Sequence, residues 1–162
     1  MIPDFDENGN LPNGIINSSL QEFKDHFIIN FKESSTRPVI FKGYLRYCDK
    51  LVSLNIATKQ WINGSFITDK VNPNDIDFVT HIDALKVDEN SEIQTKILEI
   101  CNPVETKKEF LCDVYFILLY PQHIPELYQH TINRINYWRK WFGHDRKMNP
   151  KGIIERNYSG YI

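Results

Sequence analysis

Asp75 and Asp77 stand one apolar residue apart in Asp75-Ile76-Asp77-Phe78, and this pairing is the feature of the sequence best suited to chemistry. On a strand, carboxylates at i and i+2 share one face with Cα atoms about 6.6 Å apart, so both can ligate one divalent cation or bridge two. Ile76 and Phe78 then point the other way and anchor the acids to a rigid element. Carboxylate oxygens are hard donors and favour Mg²⁺ or Mn²⁺ over zinc. Nine residues upstream of this pair ends Gly64-Ser65. Glycine allows the backbone close to a phosphate, and the serine hydroxyl and adjacent N–H groups can donate to phosphate oxygens. Asp113 is the candidate third acid, because a carboxylate inside the apolar run 110–119 is costly unless it meets a cation. Lys70 lies between the two motifs, either as a point charge for a β- or γ-phosphate or as a solvated loop residue. A phosphate cradle beside metal-binding carboxylates is a layout for phosphoryl transfer.

These residues need elements to hold them. Ser19 and Glu22 form a capping box, and Leu20, Phe23, Phe27 and Phe31 repeat with helical spacing, predicting a helix over 20–32. Pro38 opens a second helix reaching about Leu54. Residues 60–63 and 75–81 read as strands, with a turn-rich loop between them. Ile93, Ile97 and Ile100 stripe a third helix, 110–119 reads as a central strand, and a long helix runs from Pro125 to Gly143. Residues 1–17 read as an extended N-terminal segment, and 144–162 as a basic tail with a short strand possible at 152–156. The expected fold is α/β (α+β), a single domain over 1–162 with a short mixed β-sheet packed by helices.

Composition narrows the class. The chain has 162 residues, 41% hydrophobic and 25% charged, enough to close one core. No apolar run approaches the roughly 20 residues of a membrane helix, and the N-terminus lacks a basic-then-apolar leader, so a cytoplasmic protein with no membrane partner is expected. Cys48, Cys101 and Cys112 are widely spaced without neighbouring histidines, which reads as three reduced core thiols. His26 and His81 likewise lack metal-spaced partners. Net charge is −2, but residues 130–162 carry seven Lys/Arg against two Asp/Glu, while the rest carries twelve against nineteen. Arg139, Arg146, Lys147 and Lys151 therefore form either a patch for an acidic acceptor or a solvated surface. Trp138 and Trp141 are core residues or a stacking platform for a base.

The order Gly64-Ser65, a nine-residue loop, Asp75-Ile76-Asp77-Phe78 and a later Asp113 resembles the nucleotidyltransferase superfamily of DNA polymerase beta. It is similar to the minimal bacterial form, found beside toxin–antitoxin or phage-defence partners. The resemblance covers about residues 40–120, and 4–14, 64–83 and 138–152 resemble a family of short bacterial proteins of uncharacterised function on this core. It implies the nucleotidyltransferase fold, with Gly64 and Ser65 on the triphosphate, Asp75 and Asp77 on the metals, and Asp113 on the metal nearest the attacking hydroxyl. The implied reaction transfers a nucleoside monophosphate from an NTP, with ATP the expected donor, to a hydroxyl. The acceptor would be a protein, an RNA such as tRNA, or a small molecule. The alternative is an inactive nucleotide-sensing or antitoxin module of the same fold.

Overall fold

Helix α2 (Arg37–Leu54) begins at Arg37-Pro38, where proline has the right φ and no N–H to leave unpaired. Its first residue is the most deeply buried charge in the fold. Arg37 is 0% exposed, and its guanidinium donates to five backbone carbonyls. Nη1 reaches Phe27 (3.1 Å) and Phe66 (2.7 Å), Nη2 reaches Thr68 (2.8 Å) and Lys70 (2.7 Å), and Nε reaches Val71 (3.3 Å). The ring of Phe31 lies 3.7 Å from its central carbon. All five donors of the fork are used. Burial lowers its pKa to about 10, so it stays charged at neutral pH.

The computed structural model describes residues 1–158. Strands β1 (Gly14–Asn17), β2 (Ala57–Asn63), β3 (Ile76–Asp83), β4 (Cys112–Leu119) and β5 (Gly152–Asn157) form one sheet of order β1-β5-β2-β3-β4. β1 runs parallel to β5 and β3 parallel to β4, while β2 is antiparallel to both β3 and β5, so the sheet is mixed. Helix α1 (Leu20–Lys24), the turn Asp25–Ile29 that follows it and α2 pack Phe23, Phe27, Ile40, Tyr44 and Tyr47 on one face against Ile62, Phe66 and Phe78. On the opposite face α6 (Pro125–Phe142) packs Trp138 and Phe142 against Trp61, Val79 and Ile117. Between β3 and β4 the chain makes α3 (Ala84–Asp88), α4 (Ser91–Ile100) and α5 (Pro103–Phe110). Among the described residues, no helix is long and apolar enough to cross a membrane.

The mixed sheet and its helical layers match the expected fold class, and several boundaries differ. The Ser19 capping box forms, but the helix expected over 20–32 leaves α geometry after Lys24 and passes into a π turn over Asp25–Ile29. Residues 14–17 are a strand rather than coil, and Leu11 is fully buried. The short strand expected at 152–156 of the tail is the inner strand β5, because Gly14–Asn17 and β2 supply ladders on both its edges. Residues 159–162 of that tail lie outside the described residues. α5 precedes β4 where a single strand over 110–119 was expected; Asn102 caps it, accepting from Val104 and Glu105, with Pro103 in its first turn. The three cysteines are free, Cys48 and Cys112 buried and Cys101 half-buried.

Close backbone approach places the strand ends. A Cβ on Gly43 would sit 2.1 Å from the Phe110 carbonyl, so glycine lets α2 press on the end of α5. Leu111 then turns with φ 58°, and its carbonyl accepts from Ile76 N–H at 3.1 Å. That bond aligns β3 with β4.

Replacing Arg37 by methionine leaves five buried carbonyls without donors and is expected to cost roughly 3–5 kcal/mol in urea unfolding. Arg37→Lys is also expected to destabilise, because three donors on one nitrogen cannot serve five acceptors arranged around a plane. A midpoint for either variant equal to wild type would show that the cage contributes little.

Candidate functional site

The three acids meet at one end of the sheet. Asp77 lies opposite Asn63 on β2 and opposite Asp113 on β4, and Asp75, expected inside a strand over 75–81, sits one residue before β3. All three are partly exposed rather than sealed.

Gly64 ends β2 with φ 75° and ψ −168° and leads into a 3-10 turn over Ser65–Ile67. A Cβ at this position would lie 1.7 Å from Asp77 Oδ2, so the carboxylate occupies the space a side chain would take. Asn63 fixes the turn: its Oδ1 accepts from Gly64 N–H at 2.7 Å, while its Nδ2 donates to the carbonyls of Phe142 (2.8 Å) and Gly152 (3.2 Å). One buried amide thus joins β2, the end of α6 and the start of β5. The Ser65 carbonyl accepts from the Thr68 hydroxyl at 2.8 Å, closing the turn from below.

Two lysines supply the positive charge. Lys107 on α5 places Nζ 2.7 Å from Asp75 Oδ2 and 3.8 Å from Asp113 Oδ2. The Asp75 contact raises its pKa. Lys151 is buried just before β5 and donates to the Gly64 carbonyl at 2.6 Å. Burial lowers its pKa to about 8, opposed by Asp77 and Asp145. Lys70 is exposed; its carbonyl is held by Arg37, and the cations acting on Asp77 are Lys107 and Lys151.

A model of a family of unknown function, DUF6932, matches residues 3–157. The chain belongs to DUF6932. No curated protein and no solved structure matches it.

In this DUF6932 chain the carboxylates are crowded. Asp77 is pushed up to about 6, first by burial and then by the charges of Asp75 and Asp113, with Lys107 and Lys151 acting in the opposite sense. Burial and the Asp113 carboxylate push Tyr115 to about 12. No three His, Cys, Asp or Glu side chains among the described residues converge on one metal position. The Lys107 ammonium instead bridges Asp75 and Asp113. The donors are hard oxygens on rigid strand ends, with Asp77 fitted over glycine, which suits a hexacoordinate divalent cation that keeps some of its waters.

The site excludes several sequence candidates. Trp138 is buried against Tyr115 and Phe142, whereas Trp141 is 67% exposed, so only the latter presents a free ring. His81 is buried edge-on to Trp61, with its pKa lowered to about 4 by burial, and takes no part. The basic tail does not form one exposed patch: Lys151 is buried in the site, and the guanidinium of Arg139 lies over Trp61. Lys107 and Lys151 carry no motif signal, because only the strand pairing of β4 and β5 brings them to the acids.

Asp77→Asn removes a buried charge whose pKa is raised, so at pH 8 the metal-free variant is expected to exceed wild type by roughly 2–3 kcal/mol. The proton is bound more tightly in the folded state, so this advantage is full above about pH 6 and fades as pH falls towards 4. Thermal melts from pH 4 to 8 without metal test it. A variant less stable than wild type at pH 8 would assign Asp77 a structural role.

Proposed function

We propose that this chain is a metal-dependent nucleotidyltransferase. It would transfer a nucleoside monophosphate from an NTP, with ATP the first donor to test, to a hydroxyl of a protein, RNA or small-molecule acceptor. The observation that carries this reading is the fit of Asp77 over Gly64 in register with Asp113, a glycine turn and a carboxylate set side by side on adjacent strand ends.

Each residue has a role set by its position. Because the Gly64 N–H is held by Asn63 Oδ1, the turn offers the Ser65 N–H and hydroxyl to the β- and γ-phosphates. Lys151 steadies the Gly64 carbonyl from behind and adds positive charge beneath the triphosphate. Asp75, Asp77 and Asp113 would hold Mg²⁺ or Mn²⁺, which when bound neutralises phosphate charge and orients the reacting oxygens. Asp113 accepts the proton of the acceptor hydroxyl as its oxygen bonds to the α-phosphorus and the bond to pyrophosphate breaks. Lys107 is half-exposed and can leave the carboxylates for a phosphate oxygen as the site fills.

A second reading is a nucleotide-binding module without turnover, and the bridge of Lys107 between Asp75 and Asp113 favours it, since an ammonium there stands where a metal would act.

One experiment separates the readings. Melts with each NTP and Mg²⁺ at about a hundred times Kd are expected to show about 2.7 kcal/mol of stabilisation, a rise of several degrees, largely lost with EDTA and reduced in Ser65→Ala. Given a hydroxyl acceptor, the enzyme also releases labelled pyrophosphate from γ-labelled NTP, at least about a hundredfold slower in Asp113→Asn. A shifted melt with no pyrophosphate from any NTP supports the binding module, and an unmoved melt with all four NTPs at millimolar concentration overturns both.

A further inference from the structure

β4 is the outer strand of the sheet beyond β3, and among the described residues one of its edges faces no other strand. The Leu111 carbonyl accepts from Ile76, which assigns the odd-numbered backbone groups of β4 to the β3 side. The Leu118 carbonyl confirms the alternation from the other side, because it accepts from the Thr131 hydroxyl of α6 at 2.8 Å, and that hydroxyl also accepts from Tyr120 N–H at 2.9 Å. The N–H and C=O groups of Val114 and Phe116 therefore point away from β3; Val114 is only 2% exposed, so the groups open to a partner are those of half-buried Phe116 and the Leu118 N–H, and among the described residues these have no hydrogen-bond partner on that side. The edge sequence Val114-Tyr115-Phe116-Ile117-Leu118 contains no proline, lysine or other charge. Natural sheets guard exposed edges with such residues, and the stretch around Phe116, between buried Val114 and the Thr131 contact, lacks that guard.

A cavity of about 350 Å³ runs along this edge. Its two walls differ. On the α6 side stand His130, Thr131 and Arg134, and on the α4–α5 side stand Cys101 and Pro103. Arg134 is held over the rings of Tyr137 and Trp138, 5.2 and 5.8 Å from their centroids, and makes no ion pair among the described residues. A strand added here alternates its side chains between a cationic wall and an apolar one.

We propose that the outer edge of β4 binds an extended acidic segment of a partner protein by strand addition. Backbone hydrogen bonds to Phe116 and to the Leu118 N–H supply the attachment. Alternate carboxylates meet Arg134, with His130 beside it, and the intervening apolar side chains rest on Cys101 and Pro103. A second copy of this chain fits the edge poorly, since two-fold pairing of β4 brings two α6 helices, each with Arg134 at the groove, to the same junction.

The test uses the full isotope-labelled chain and two capped octapeptides, one alternating valine with glutamate and one alternating valine with lysine, followed by amide chemical shifts. The glutamate peptide is expected to move the amides of Val114, Phe116 and Leu118 in a saturable way, and the lysine peptide to leave them in place. Arg134→Glu is expected to weaken the glutamate peptide about tenfold or more. Phe116→Pro removes an outward N–H without touching the β3 ladder and is expected to abolish binding, with a melt confirming the fold. Equal shifts with both peptides, or none with the glutamate peptide at millimolar concentration, overturn the proposal. Shifts at Val114 and Phe116 that grow with protein concentration alone assign the edge to a second copy and overturn it as well.

Discussion

The Arg37 guanidinium is the contact on which the rest of the site depends. A cation at the first turn of a helix is opposed by the helix dipole, and one buried without a carboxylate is more costly still. The cost is offset by five carbonyls that would themselves be unpaired without it. Four of those carbonyls, on Phe66, Thr68, Lys70 and Val71, belong to the loop that joins Gly64-Ser65 to Asp75. A nine-residue loop with few internal bonds thereby becomes a fixed connection. The distance from the glycine turn to the carboxylates is set by the start of α2, a helix that touches neither.

The remaining constraints act at the strand ends. Asn63 fastens the glycine turn to α6 and β5, Gly43 lets α5 close on α2, and the Leu111 carbonyl sets the register of β4 on β3. Together they force three carboxylates into one corner, where Asp77 is half-neutralised near pH 6 and Lys107 serves as the counter-charge. A fold gains nothing in stability from such crowding. Like charges held together by rigid elements mark a candidate functional site.

The acids were legible in the sequence because their chemistry is local: Asp75 and Asp77 share a face through strand period, and Asp113 stands out as a charge in an apolar run. Gly64 and Ser65 were legible for the same reason. Lys107 and Lys151 were not, since each reaches the site only through pairing across more than thirty residues, Asp75 with Lys107 and Gly64 with Lys151. Lys151 and Arg156 counted as tail cations in the sequence, yet both are buried, because β5 is an inner strand of the sheet. The π turn at Asp25–Ile29 escaped the helical spacing of Phe23, Phe27 and Phe31, which an α-helix and a π turn both approximate over one turn. Strand β1 is four residues long and, among the described residues, pairs only with β5, so no local pattern announced it.

The central claim is that the carboxylates of Asp75, Asp77 and Asp113 hold a divalent cation in the place now bridged by Lys107. Titration of Mn²⁺ followed by electron paramagnetic resonance tests it most directly, because free and bound ions give distinct signals. Saturable binding is expected in the wild-type chain and stronger binding in Lys107→Ala, with loss of the bound fraction in Asp77→Asn. Binding of equal strength in wild type and Asp77→Asn, or no bound signal at millimolar Mn²⁺ in any of the three proteins, would contradict the account.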